Sequence, residues 1–177
     1  MSKSINTIFL LGYMGAGKTV IGRTLSKKLG FKFYDLDDYI EQIEGKKVSE
    51  IFKEKNEVYF RKIENKYLHE LSLKNEKKII STGGGTPCFK NNIKIIQTTS
   101  NSISVYLKAS IETLVKRLFH SIDKRPLISH LEDKSELKEF ITKHLFERSF
   151  YYEKSDVKIK TDDIELKDII KLIKELI

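Results

Sequence analysis

Short apolar runs alternate along this chain with longer stretches in which apolar residues recur every three or four positions. Ile8-Phe9-Leu10-Leu11 is continuously apolar, as a strand buried on both faces must be, and it stops at Gly12. A helix is predicted from Lys18 to Leu29, with Gly30 as its stop. Phe31 to Leu36 reads as a second strand, followed by a helical region broken near Gly45. Between Glu57 and Leu73, the residues Phe60, Ile63, Tyr67 and Leu71 fall on one helix face. Ile79-Ile80-Ser81-Thr82 is a third strand, ended by Gly83-Gly84-Gly85, and Ser104-Val105-Tyr106-Leu107 is a fourth. Ile111, Leu114, Val115 and Leu118 mark another helix, and Leu137, Ile141, Leu145, Arg148 and Tyr152 share a further seam. Val157 to Lys160 is a last strand, and Leu166, Ile169, Ile170, Ile173 and Ile177 form the stripe of a closing helix. Repeated strand–helix alternation predicts an α/β fold with a parallel sheet covered on both faces, because parallel strands need crossover helices. In such sheets ligands bind at the carboxyl ends of the strands, so the residues just after each strand are the ones to inspect.

The length of 177 residues fits one domain, and no apolar stretch is long enough to predict a membrane span. Met1-Ser2-Lys3-Ser4 leads straight into the first strand without an apolar leader, so a cytoplasmic location is expected. One cysteine, Cys88, excludes an intrachain disulfide framework, and the four histidines lack metal-ligand spacing. The net charge of +8 raises the question of nucleic acid. The lysines are scattered among acids, however, and do not interleave with aromatic platforms, so no nucleic-acid partner is expected. More telling is that only five of the 33 cationic side chains are arginine: Arg23, Arg61, Arg117, Arg125 and Arg148. Arginine offers a planar fork for carboxylate and phosphate that lysine cannot imitate. A chain this rich in lysine is expected to place arginine where lysine fails.

Gly12-Tyr13-Met14-Gly15-Ala16-Gly17-Lys18-Thr19 fits G-x-x-x-x-G-K-[ST] at every fixed position, with a strand before it and a helix after it. Such glycines let consecutive N–H groups curl around phosphate oxygens while the helix adds its positive end. Lys18 would reach the β- and γ-phosphates, and the Thr19 hydroxyl would ligate magnesium. The motif predicts a nucleoside triphosphate site.

Other positions carry two readings each. Asp35 and Asp37, two apart in extended chain, would face one side of the sheet edge and serve magnesium and a substrate hydroxyl; alternatively Asp37 or Asp38 caps a helix beginning near Tyr39. Arg61 with Glu64 is, on helix geometry, a solvated surface pair, or else a guanidinium held in one direction. Arg148 in an apolar seam implies an anionic partner or a side chain that snorkels to water. Three consecutive glycines at 83–85 suit a ligand that approaches the main chain closely. Arg125 lies in a polar stretch, about 121–134, suited to a closing lid, and Arg117 is either an adenine-stacking cation or a plain surface charge.

Together these residues resemble the shikimate kinase family over nearly the whole chain. The phosphate loop alone is widespread. The specific part is its combination with Asp35-Leu36-Asp37, Phe60-Arg61 with Glu64, Gly83-Gly84-Gly85, Arg125-Pro126-Leu127 and Arg148 with Tyr152. The resemblance implies a P-loop nucleoside-monophosphate-kinase-like three-layer fold, with a five-stranded parallel sheet, helices on both faces and a lid. It also implies a substrate-binding helical region at about 37–65. The implied activity is transfer of a phosphoryl group from ATP, with Mg2+, to the 3-hydroxyl of shikimate on the way to chorismate. By matching position, Asp37 would hold the substrate hydroxyls, Arg61 and Arg148 its carboxylate, and Gly84 a main-chain contact. Lys18, Asp37 and Arg125 would be catalytic; Gly15, Ala16, Gly17, Lys18, Thr19, Val20, Arg117 and Arg125 would contact ATP; Thr19 and Asp35 would serve the metal. A monomer is expected. The chain departs from the family's usual pattern at Ser149-Phe150-Tyr151-Tyr152, where Pro-Leu-Tyr is common, and at Ser155-Asp156, where Ala-Asp is common. A gluconate or nucleoside monophosphate kinase of the same fold is the alternative. An ATP-binding module that had lost catalysis should lack Lys18, Asp37 or Arg125, and all three are present.

Overall fold

The central apolar run forms β1 (Thr7–Leu11), and every residue in it is buried because it feeds two cores at once. Phe9 and Leu11 face one side of the sheet, and Ile8 and Leu10 face the other. This two-sided burial is why the run shows no alternation. The computed structural model describes residues 4–122 and 127–177. Within them β1 is followed by α1 (Lys18–Leu29), β2 (Lys32–Asp35), α2 (Leu36–Glu44), α3 (Val48–Leu73) and β3 (Lys78–Ser81). After a 3-10 turn at Thr86–Cys88 come α4 (Asn92–Thr98), β4 (Ser102–Lys108), α5 (Ile111–Phe119), α6 (Lys134–Tyr152), β5 (Val157–Lys160) and α7 (Leu166–Lys174). The five strands pair in the order β2-β3-β1-β4-β5, and all pairings are parallel.

Helices α2 and α3 pack on the Phe9 face with Ile80 and Tyr106, while α1 and α7 pack on the Ile8 face with Ile79, Val105 and Ile159. A third cluster joins Tyr13 of the loop after β1 to Leu114 and Leu118 of α5 and Leu137 and Ile141 of α6. None of the described helices is long and apolar enough to cross a membrane. Because β3 and β4 lie on opposite sides of β1, the chain leaves the sheet in diverging directions at its carboxyl rim. A crevice opens there, at the switch point.

Several local expectations need correction. The second strand is shorter than Phe31 to Leu36. Helix α2 begins at Leu36 rather than near Tyr39, and its cap is Asp35, whose side chain accepts from the Asp37 N–H at 3.3 Å; neither Asp37 nor Asp38 is the cap. Asp35 and Asp37 are therefore brought together by a strand-to-helix turn and not by extended chain. Helix α4 was not apparent from the apolar pattern, having few apolar positions in only 7 residues. In α7, Ile169, Ile170 and Ile173 are buried and Leu166 is exposed, while Ile177, at the other end of the expected stripe, lies beyond the helix and is exposed.

Candidate active site

The loop after β1 is built for close main-chain curvature. Gly15 and Gly17 take φ of 82° and 97°, which only glycine adopts cheaply, and Gly17 sits at the N-terminus of α1. Lys18 is buried, and its ammonium donates to the carbonyls of Gly12 at 2.7 Å and Tyr13 at 3.0 Å, so it lies back across the loop. The Thr19 hydroxyl donates to Asp35 Oδ2 at 2.8 Å, linking the start of α1 to the end of β2. Arg117, from the end of α5, donates to the carbonyls of Gly15 at 3.2 Å and Thr161 at 3.0 Å. It is thus braced on the phosphate loop itself by two main-chain carbonyls. Gly15, Gly17, Lys18, Thr19, Asp35 and Arg117, with Val20, Asp37, Thr82 and Gly84, line a cavity of about 380 Å3.

A second cavity of about 290 Å3 lies beside the first and shares Met14, Asp37, Gly83 and Gly84 with it. Its floor is the turn after β3, and its walls carry Phe52, Phe60, Arg61, Glu64 and Arg148. The Arg61–Glu64 pair is not the solvated surface pair that helix spacing favours. Glu64 is wholly buried, with one carboxylate oxygen accepting from Arg61 Nη1 at 2.9 Å and the other from Thr86 Oγ1 at 2.6 Å. A buried carboxylate held on both oxygens fixes the guanidinium in front of it. Arg61 Nε adds a longer contact to Glu57 at 3.3 Å.

The three glycines are explained by the protein's own side chains as much as by any ligand. A Cβ on Gly85 would stand 2.4 Å from Arg61 Nη2, and one on Gly83 would stand 2.9 Å from Thr86 Oγ1 and 3.1 Å from Glu64 Oε1. Gly84 is different: a Cβ there would make only ordinary contacts, with Met14 N at 3.5 Å and Arg148 Nη1 at 3.6 Å, and the residue lines both cavities. Tyr152, buried at the far end of α6, donates its hydroxyl to the Gly84 carbonyl at 2.5 Å and fixes the orientation of that peptide. The chain's Ser149-Phe150-Tyr151 departure leaves this contact in place. Sequence reasoning paired Tyr152 with Arg148 but did not foresee this carbonyl contact.

Asp37 stands where the cavities meet. Loss of water around it, then the negative charges of Asp35 and Glu64, push its carboxyl up from 3.8 to about 7, with Lys18 and Arg61 pulling the other way. A carboxyl raised to about 7 stands close to half-ionised at neutral pH, the range in which a side chain can either hold or release a proton. Arg148 leaves the apolar seam of α6 part-exposed and turns over the Tyr13 ring, with its guanidinium carbon 5.6 Å from the ring centre. Among the described residues it pairs with no carboxylate, so its fork is free for an anion in the second cavity. Among the described arginines, Arg23 stands apart from this assembly, exposed and 3.4 Å from Asp38. Arg125 lies outside the described residues.

One cavity surrounded by a phosphate loop and a second walled by two arginines and a carboxylate can position a phosphate donor against a small hydroxylated anion. The family model for shikimate kinase matches residues 14–177. The shikimate kinase of Flavobacterium johnsoniae is 46% identical over 170 residues, covering 96% of this chain and 98% of that protein. A crystal structure of shikimate kinase from Bacteroides thetaiotaomicron superposes with a TM-score of 0.89 at 36% identity, covering 96% of this chain and 97% of that one. The shikimate kinase of Acinetobacter baumannii in complex with shikimate gives 0.85 at 31% identity, covering 98% and 93%. Agreement of sequence and fold over nearly the full length of all three places this chain in the shikimate kinase family.

Proposed function

We propose that the protein transfers the γ-phosphoryl group of ATP to the 3-hydroxyl of shikimate, giving shikimate 3-phosphate and ADP, and that it does so as a cytoplasmic monomer. The observation that carries this reading is the position of Asp37, shared by the phosphate-loop cavity and the arginine-walled cavity. That the related A. baumannii enzyme is found in complex with shikimate supports the choice of acceptor. A nucleotide acceptor would need a base pocket; two guanidinium forks and a carboxylate suit a small polyhydroxy acid.

Arg61 and Arg148 clamp the carboxylate of the acceptor, and the Gly84 N–H adds a main-chain contact to the same molecule. Asp37 orients the 3-hydroxyl in line with the γ-phosphorus and takes its proton as the new oxygen–phosphorus bond forms and the bond to the bridging β,γ-oxygen breaks. Lys18 places its charge on the phosphoryl oxygens, and the N–H groups of Gly15, Ala16 and Gly17 cradle the phosphates. Arg117 covers the adenine side of the first cavity, next to Val20. Arg125 is assigned to the transferring phosphoryl group on its position in the sequence alone. The oxygen donors Thr19 and Asp35 fit magnesium, which favours hard oxygens and keeps much of its water. Bound there, magnesium would supply positive charge against the phosphate oxygens, with the Thr19 hydroxyl as a ligand and Asp35 supporting its hydration shell.

A coupled assay of ADP release with MgATP and shikimate, beside gluconate and AMP, tests the reading. Turnover confined to shikimate is expected. Brisk turnover of gluconate or AMP with none of shikimate would overturn it.

A further inference from the structure

Tyr13, the second residue of the phosphate loop, has no role in the chemistry just described, yet it is tied to three parts of the site. Its main-chain carbonyl accepts from the Lys18 ammonium at 3.0 Å. Its ring lies under the Arg148 guanidinium. Its hydroxyl and His144 Nδ1 are 3.0 Å apart, a hydrogen bond between residues 131 positions apart in the chain. The ring is buried, at 1% exposure, among apolar side chains of α5 and α6. His144 and Arg148 lie four residues apart on α6 and so share a face.

Ahead of His144, α6 packs on the body of the protein through apolar side chains such as Leu137 and Ile141, while beyond Arg148 the Tyr152 hydroxyl ties its far end to the Gly84 carbonyl. Apolar packing sets how far apart two elements lie but tolerates sliding, whereas a directional hydrogen bond between side chains of the two elements, here part-buried, favours one register. Arg148 has no carboxylate partner among the described residues, so its direction depends on where α6 sits and on the ring beneath it. Burial pushes the Tyr13 phenol up to about 12, and burial together with Arg148 holds the His144 imidazole below its usual 6.5, so both partners are neutral around pH 7.

We infer that the Tyr13–His144 hydrogen bond is a positioning device, which locks α6 against the phosphate loop in the register that aims Arg148 into the second cavity. This deepens the proposed function and rests on it. A fork already aimed loses less freedom when it takes a carboxylate, so the bond acts on affinity for the acid and much less on the phosphoryl-transfer step. It also joins the residue that grips the acid to the loop that grips the triphosphate.

The test is steady-state kinetics at neutral pH with shikimate varied at saturating MgATP. A hydrogen bond of ordinary worth corresponds to roughly fivefold in affinity. Tyr13→Phe and His144→Leu are each expected to raise KM for shikimate by about that factor while kcat falls much less. The double variant should be no worse than either single one, because both remove the same bond. His144→Gln, which can still donate or accept a hydrogen bond, should restore most of the affinity. A purely structural role would lower the thermal midpoint without this KM-specific pattern. If His144→Leu proves too unstable to purify, Tyr13→Phe and His144→Gln decide the matter between them. KM within about twofold of the parent in the Tyr13→Phe and His144→Leu variants, effects that multiply in the double variant, or a His144→Gln no better than His144→Leu would each remove the inference. A parent protein that leaves shikimate unphosphorylated removes it together with the proposed function, whereas an active parent with unaltered variants removes the inference alone.

Discussion

Asp37 shows how few atoms separate a structural carboxylate from a chemical one. Asp35, two residues before it, caps α2 and accepts the Thr19 hydroxyl, so it is anchored in the fold at the position proposed to support magnesium. Asp37 is left with Asp35 and Glu64 as negative neighbours, and its carboxyl sits near 7 instead of 3.8. For catalysis, kcat/KM for shikimate is expected to rise as pH increases through about 7, as Asp37 ionises; a flat profile across that range would separate it from the proton transfer. For stability the sign is opposite. Between about 4 and 7 the unfolded chain releases this proton first, so rising pH costs the folded state stability, and the loss persists above 7. Asp37→Asn is therefore expected to abolish most of the activity yet raise the thermal midpoint at pH above 7. The gain is on the order of 2–4 kcal/mol and fades as pH falls towards the unfolded carboxylate range. A melting series against pH measures it. Arg148→Lys tests the fork: a point charge keeps the attraction but not the bidentate geometry, so KM for shikimate should rise about tenfold or more with a smaller change in kcat. An unchanged KM would take Arg148 out of the clamp.

Elements deliver these residues, and the delivery depends on where each element starts or bends. Helix α3 runs from Val48 to Leu73 but is interrupted at Asn56, whose φ of 73° and ψ of 171° lie in a region that glycine alone occupies comfortably. The Asn56 side chain accepts from the Tyr59 N–H at 3.1 Å and so caps the second segment, which carries Phe60, Arg61 and Glu64. Backbone strain and cap act in opposite directions. Asn56→Gly relieves the strain and loses only a few tenths of a kcal/mol of cap, so it should stabilise by about 1 kcal/mol, whereas Asn56→Ala keeps the strain and loses the cap. Denaturant melts should order the three as Gly, then Asn, then Ala. The amphipathic stripe from Phe60 to Leu71 was legible without the structure because it repeats within one helix. That Glu64 lies inside, with Arg61 and Thr86 on its two oxygens, was not, since i, i+3 spacing is the same for a solvated pair and a buried one. The early start of α2 was likewise hidden, because Asp35, Asp37 and Asp38 are equally good caps by residue type and only the direction in which the chain leaves β2 chooses among them.

At the scale of the molecule, the net charge of +8 is spread over a surface whose ion pairs are mostly exposed, such as Lys47–Glu41 at 2.7 Å and Lys108–Glu153 at 2.7 Å. Such pairs add little, and the excess of like charge opposes compactness. Moderate salt should therefore raise the thermal midpoint by a few degrees by screening that repulsion, with calorimetry at low and at physiological ionic strength as the check. A fall on adding salt would mean that the attractive pairs dominate. Two kinds of information divide the account of this protein. What repeats or clusters locally could be read from the chain alone: the buried run of β1, the glycine spacing of the phosphate loop, the helix stripes, and the scarcity of arginine. Backbone curvature and amphipathic period are short-range properties, satisfied within a dozen residues. What the tertiary structure decided was meeting: two cavities sharing Asp37, Tyr152 on the carbonyl of Gly84, and Tyr13 on His144 across 131 positions. Those contacts exist only because five parallel strands end at one rim, and no local pattern says which side chains a rim will bring together.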